Sequence, residues 1–245
     1  MGTGRRQEIL GVAAVGCALA AAAAVSGPGQ AAGADTASRS AGVAGEHAGG
    51  GSKVERAARA SGCGGVQRFA PGRRIARGRA PLAIGDSVLL GAAVAAAARG
   101  YEVDVRGCRQ MSEGLDLLRA RARAGALPGL VVIVLGTNGA ITRGDVSTAL
   151  RIVGPRRMLG LVTPRELGGG SGSDAATLRA VARDRPRRTL LLDWVAFAGA
   201  RGGLTYGDGI HLTPAGHHAM ADLLTHGIER AYPPADRWRQ VHVRP

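Results

Sequence analysis

Pro81-Leu82-Ala83-Ile84-Gly85-Asp86-Ser87-Val88-Leu89-Leu90-Gly91-Ala92 is the stretch on which the fold is read. Four residues of apolar character stop at a Gly-Asp-Ser turn, and from Val88 to Arg99 the chain is alanine-rich and favours helix. A short strand apolar on both faces, followed by a helix, is the opening unit of a parallel sheet covered on both sides. Toward the C-terminus the unit repeats. Residues 101–105, 130–135, 158–162 and 189–192 read as strands; residues 112–124, 145–152, 174–183 and 214–231 read as helices, the last with Pro at its first turn. The pattern predicts an α/β fold, a three-layer α/β/α sandwich with a five-stranded parallel sheet over residues 78–231.

Toward the N-terminus the composition changes. Residues 27–77 are mostly Gly, Ala, Ser and Arg, with too little apolar bulk to offset the entropy of ordering, so 35–77 is expected to be a linker. Ahead of it, Arg5 and Arg6 precede an apolar run over 9–25, then Ser26-Gly27-Pro28 and the small-x-small site Ala32-Gly33-Ala34. That grammar predicts a signal peptide or membrane anchor over 1–34, hence a chain secreted or held at the outer side of a membrane. Cys17 follows Val15-Gly16, but Ala14 stands where a lipoprotein site takes a larger aliphatic residue, so Cys17 reads as a small apolar residue of the signal. Residues 232–245 read as a tail. Outside the signal the only cysteines are Cys63 and Cys108, and an oxidising exterior predicts a disulfide between them.

The formal charge is +14, with Lys53 the only lysine. The excess is spread: 10 basic against 4 acidic residues before position 78, and 22 against 14 from there on, a diffuse cationic surface and not a basic tail. Two Phe, two Trp and three Tyr provide no base-stacking platform, so nucleic acid is excluded as a partner. The apolar fraction of 45% supplies a core, and three cysteines are too few for a disulfide-built miniprotein.

Ligands of open parallel sheets bind beyond the carboxyl ends of the strands. Ser87 sits there, where strand turns into helix, with the free N–H groups of the helix start beside its hydroxyl; the same position suits an ordinary helix cap. Asp208-Gly209-Ile210-His211 places an acid and a histidine in a loop ahead of the last helix. A serine nucleophile needs such a base, and a carboxylate that fixes its tautomer. His47 and His242 fall in the linker and tail, and His217, His218 and His226 on or beyond the last helix, which leaves His211 as the candidate base. Asn138, in Gly136-Thr137-Asn138-Gly139, offers a side-chain amide to an oxyanion, or is simply a turn residue. His218 and Asp222 lie four apart without a third ligand at a recognisable spacing, so neither a metal nor another cofactor is expected.

In this order, Gly85-Asp86-Ser87, Gly136-Thr137-Asn138 and Asp208-Gly209-Ile210-His211 resemble the blocks of the SGNH hydrolase superfamily, the GDSL esterases, over most of residues 80–227. The resemblance implies a flavodoxin-like sandwich with Ser87 as nucleophile, His211 as base and Asp208 as its orienting acid. It implies an oxyanion hole from the Ser87 N–H, the N–H of Cys108, which stands where the second block has glycine, and the Asn138 amide. IGDSVLLGA, CRQMSEGL, VIVLGTNG, DW and DGIHLTPAGHHAMADLL further resemble the extracytoplasmic SGNH domains of acyltransferase-3 membrane proteins that O-acetylate peptidoglycan. The multi-span domain that delivers acyl groups there has no counterpart in this sequence, which holds one apolar run of membrane length. The expectation is an exported serine esterase acting on O-acyl esters, with acetyl as the expected acyl group, of a cell-envelope carbohydrate. Two alternatives stay open: an O-acyltransferase to cell-wall sugars fed by a separate membrane acyl donor, and a non-catalytic cell-wall binding module whose arginines hold anionic polymers.

Overall fold

In the computed structural model the described residues are 63–75 and 78–233. The apolar run at 9–25, most of the linker and most of the tail lie outside them. The described elements, in chain order, are β1 (Gln67–Phe69), β2 (Leu82–Gly85), α1 (Ser87–Ala98), β3 (Glu102–Val105), α2 (Met111–Arg123), β4 (Leu130–Val134), α3 (Arg143–Val153), β5 (Met158–Val162), α4 (Ser173–Asp184), β6 (Thr189–Leu192), α5 (Trp194–Gly199) and α6 (Pro214–Ala231).

Hydrogen bonding joins the strands in the order β1-β3-β2-β4-β5-β6. The five expected strands run parallel, in the order of the flavodoxin-like sheet. The sheet has six strands and not five. The sixth, β1, comes from the stretch read as linker, and it pairs antiparallel with β3 from Gln67↔Val105 to Phe69↔Val103. Its one large apolar residue gives no periodic signal; pairing and the Arg68 Nε bond to the Asp104 carboxylate, 2.9 Å, hold it. The helix α5 is a second addition: six residues are too few to show a helical repeat, and Asp193 caps it by accepting from Ala196 N–H at 3.1 Å.

Alternation along the strands divides the core. Ala83, Val103, Val132, Val134, Leu190 and Leu192 face α1 and α6. Leu82, Ile84, Val131, Ile133, Leu159 and Leu161 face the side covered by α2, α3 and α4. Helix α1 approaches α6 closely because its buried positions Ala92, Ala93 and Ala96 are small. At Gly91 even a methyl group would come within 2.8 Å of the His217 ring nitrogen Nε2. Tyr101, fully buried, closes this side by donating its hydroxyl to the Leu224 carbonyl at 2.8 Å. Among the described residues no helix is long and apolar enough to cross a membrane. The strand order reverses between β2 and β4, and the chain that leaves these two strands brings Ser87, at the start of α1, and Asn138 to that end of the sheet.

Candidate active site

Ser87 opens α1. The residue before it, Asp86, is extended and caps the helix by accepting from Val88 N–H at 3.0 Å, which turns the chain sharply from β2 into α1. Ser87 itself is therefore the first helical residue, not the cap.

His211 reaches the serine from the loop between α5 and α6. Ser87 Oγ lies 3.2 Å from His211 Nε2, and His211 Nδ1 lies 2.6 Å from Asp208 Oδ2. The carboxylate is itself oriented, because its Oδ1 accepts the N–H groups of Ile210 (2.9 Å) and His211 (3.0 Å). The bond from His211 holds the Asp208 carboxyl at about 2, well below the ordinary carboxylate value. With an acceptor fixed at Nδ1, the ring keeps its other nitrogen free to take a proton from the serine.

The loop after β3 is built from several directions. Cys108 is bonded to Cys63. It is also the one non-glycine residue with positive φ among the described residues, at 55°, so the residue standing where the resembled family has glycine adopts a conformation that glycine takes freely. Arg109, buried, donates to the Asp104 carbonyl at 2.6 Å, to the Asp104 carboxylate at 2.7 Å and to the Gly85 carbonyl at 3.3 Å. It thereby ties the end of β3 to the end of β2, two residues ahead of Ser87. Arg106 pairs with Glu113, which also accepts the Gln110 N–H at 2.9 Å and so starts α2. Among the described residues no main-chain acceptor engages the Ser87 or Cys108 N–H.

Asn138 sits in the loop after β4, and its side-chain amide donates to Asp86 Oδ2 at 3.3 Å and to Thr137 Oγ1 at 3.1 Å. Thr137 in turn donates to Asp86 Oδ2 at 2.7 Å. The sequence reading gave no part to Asp86 beyond its place in the motif. It is buried, desolvation pushes its carboxyl up, and the Thr137, Val88 and Asn138 donors oppose that shift. A carboxylate flanked by Ser87 on one side and Thr-Asn in a neighbouring loop was the available signal. All five residues expected at the site, Ser87, Cys108, Asn138, Asp208 and His211, are in loops or helix starts at the carboxyl ends of the strands. His218 and Asp222 form no metal group: among the described residues no three His, Cys, Asp or Glu are arranged to hold an ion, and Asp222 pairs with Arg99 at 2.6 Å.

No family model matches the chain. A stretch of 155 residues is 30% identical to O-acetyltransferase OatA of Staphylococcus aureus strain NCTC 8325, covering 61% of this chain and 25% of that protein. The chain thus spans about a quarter of the length of the curated relatives it matches. Among solved structures, the C-terminal catalytic domain of Streptococcus pneumoniae peptidoglycan O-acetyltransferase A, solved with a methylsulfonyl adduct, aligns with a TM-score of 0.56 at 22% identity, over 62% of this chain and 94% of that one. The chain has the fold of that catalytic domain. A lipolytic protein of the G-D-S-L family from Veillonella parvula also aligns, at 13% identity and a TM-score of 0.47, over 60% of this chain and 96% of that one. In this domain the serine, histidine and acid of the three motifs meet at the strand ends.

Proposed function

We propose that the chain is an exported serine esterase that removes O-acyl groups, acetyl foremost, from a cell-envelope carbohydrate. The observation that carries the reading is the Ser87, His211, Asp208 relay, with 3.2 and 2.6 Å between its members. As Ser87 Oγ bonds to the acyl carbon, its proton passes to His211 Nε2, and the carbonyl oxygen takes the negative charge toward the N–H groups of Ser87 and Cys108 and the Asn138 amide. Collapse breaks the bond to the sugar oxygen, which leaves with the proton from His211. Water, deprotonated by the same ring, then attacks the acyl-serine and releases the acid and free Ser87. The acetyl group and the carbohydrate are suggested by the similarity to OatA; the leader read over 1–34 suggests export.

Transfer is the second reading, and the same similarity favours it: a sugar hydroxyl replaces water in the second half, with the acyl group supplied by a membrane acyltransferase partner. Hydrolysis is preferred because the proposed base is itself open to solvent, the His211 side chain being 53% exposed, so water reaches it without an added acceptor.

Replacing Ser87 with Ala closes the covalent route. Ser87→Ala is expected to abolish turnover of p-nitrophenyl acetate and labelling by a fluorophosphonate probe, with the melting temperature unchanged. Labelling at another residue, or wild-type turnover by the variant, overturns the assignment. Product masses with and without an added sugar acceptor separate hydrolysis from transfer.

A further inference from the structure

Aromatic residues are scarce in this chain, and the structure covers most of those it describes. Tyr101 and Trp194 are buried, and Phe69, Phe197 and Tyr232 are partly buried against the core. Tyr206 departs from this, at 57% exposed the one exposed aromatic among the described residues. A single exposed apolar residue needs no explanation by itself, but the position of Tyr206 does. Its N–H donates to the His211 carbonyl at 2.8 Å, and its own carbonyl accepts the Gly209 N–H at 2.9 Å. The backbone of Tyr206 is thus part of the loop that holds the base and its acid.

The loop that carries Tyr206 is held firmly. Thr205 and Leu212 bridge the two ends of the loop. The glycine-rich turn after β5 docks on it, with Gly168 N–H donating to the Asp208 carbonyl at 2.8 Å. Arg165 fastens the two together, donating to the Gly169 carbonyl at 2.9 and 2.7 Å and to Thr205 Oγ1 at 3.3 Å. Next to this seam, Leu167 is 80% exposed. Gly207 follows Tyr206 directly, and a Cβ added there or at Gly170 would meet nothing within 4 Å, so both positions stand in open space.

We propose that Tyr206, with Leu167 across the seam, is the platform on which a pyranose ring of the substrate lies, and so fixes specificity for the carbohydrate side of the scissile ester. This rests on the carbohydrate esterase reading given above. A sugar ring offers one face of C–H groups and an edge of hydroxyls, and a rigid tyrosine suits both: an apolar face for the first and a hydroxyl for the second. The backbone of Tyr206 is already fixed by these bonds, so none of its backbone freedom is left to lose when the sugar binds.

The test compares wild type, Tyr206→Ala and Tyr206→Phe on p-nitrophenyl acetate and on O-acetylated tri-N-acetylchitotriose, with titration calorimetry of the unacetylated trisaccharide in parallel. Tyr206→Ala is expected to raise KM for the acetylated trisaccharide about threefold to tenfold, with kcat and p-nitrophenyl acetate turnover unchanged, and Tyr206→Phe to behave nearly as wild type. An unchanged KM in Tyr206→Ala overturns the proposal. So does a parallel loss on p-nitrophenyl acetate, which would make Tyr206 a builder of the histidine loop. If wild type turns over p-nitrophenyl acetate alone and does not bind the trisaccharide, the platform falls and the serine relay stands. If neither ester is turned over, the esterase reading fails by itself, and the calorimetry still decides: weaker trisaccharide binding in Tyr206→Ala than in Tyr206→Phe supports the platform, and equal binding overturns it.

Discussion

Two carboxylates flank the proposed reaction centre, and the environment drives them in opposite directions. Asp86 is buried and pushed up by desolvation; Asp208, on the open side, is held down at about 2 chiefly by the His211 side chain. Since the folded value of Asp208 lies below its reference of 3.8, its contribution to stability is complete above about pH 4 and is lost as pH falls toward 2. Carbon-13 detection of the Asp208 carboxyl should show a titration midpoint near 2 in the native protein, and His211→Ala should move it back toward 3.8; an unmoved midpoint would remove the coupling. Around Asp86 the two neighbouring donors differ in kind. Thr137→Val strands part of a buried carboxylate, at about 1–3 kcal/mol of stability, and should leave kcat near wild type. Asn138→Ala should instead lower kcat about 100-fold to 1,000-fold with a smaller change in KM. Melting curves and steady-state kinetics of both variants would show the split, and a large melting shift with normal kcat in Asn138→Ala would make Asn138 a loop builder.

At the scale of elements, the loop after β3 depends on a segment far from it in sequence. The Cys63 to Cys108 bond, the β1 pairing and the Arg68 contact to Asp104 all join residues 63–69 to that loop or to the strand beneath it. Separating Cys63 from Cys108, 45 residues apart, should cost about 2–4 kcal/mol. It should also lower kcat more than KM, because Cys108 N–H then loses the restraint that keeps its left-handed backbone in place. Turnover of p-nitrophenyl acetate before and after reduction, read at a temperature where circular dichroism shows the domain still folded, checks this; equal kcat in both states would mean that the loop holds its shape without the bridge. The β1 pairing and the Arg68 contact were not legible in the motifs. The strand β2, the helix α1 and the other parallel strands were, since each is an apolar run read from local sequence. The strand Gln67–Phe69 was not, because what makes it a strand is the edge of β3. The disulfide was legible by elimination, whereas the use of Asp104 as a shared acceptor for Arg68 and Arg109 arises only once β1 and β3 are adjacent.

For the whole molecule, the order of the strands does what no single motif does. It brings residues from positions 87, 108, 138 and 208–211 to one end of the sheet, at the reversal between β2 and β4. That Ser87, His211 and Asp208 come together was readable because their blocks lie at strand ends in a recognisable sequence; the neighbouring seam, with Arg165 pinning one loop to another and Tyr206 exposed beside it, was not, since it forms between loops with no shared pattern.

The antiparallel sense of β1 also fixes the direction in which the chain passes through the domain. Gln67 pairs with Val105, so the polypeptide arrives at the carboxyl ends of the parallel strands, and the Cys63 carbonyl lies against Gly107 there. It departs at the other end, where the Tyr232 hydroxyl lies against Gly129, ahead of β4. The described chain therefore enters beside the rim that carries Ser87, as a wrist meets a palm, and its last helix ends at the back of the domain, so the rim and Tyr232 face away from each other.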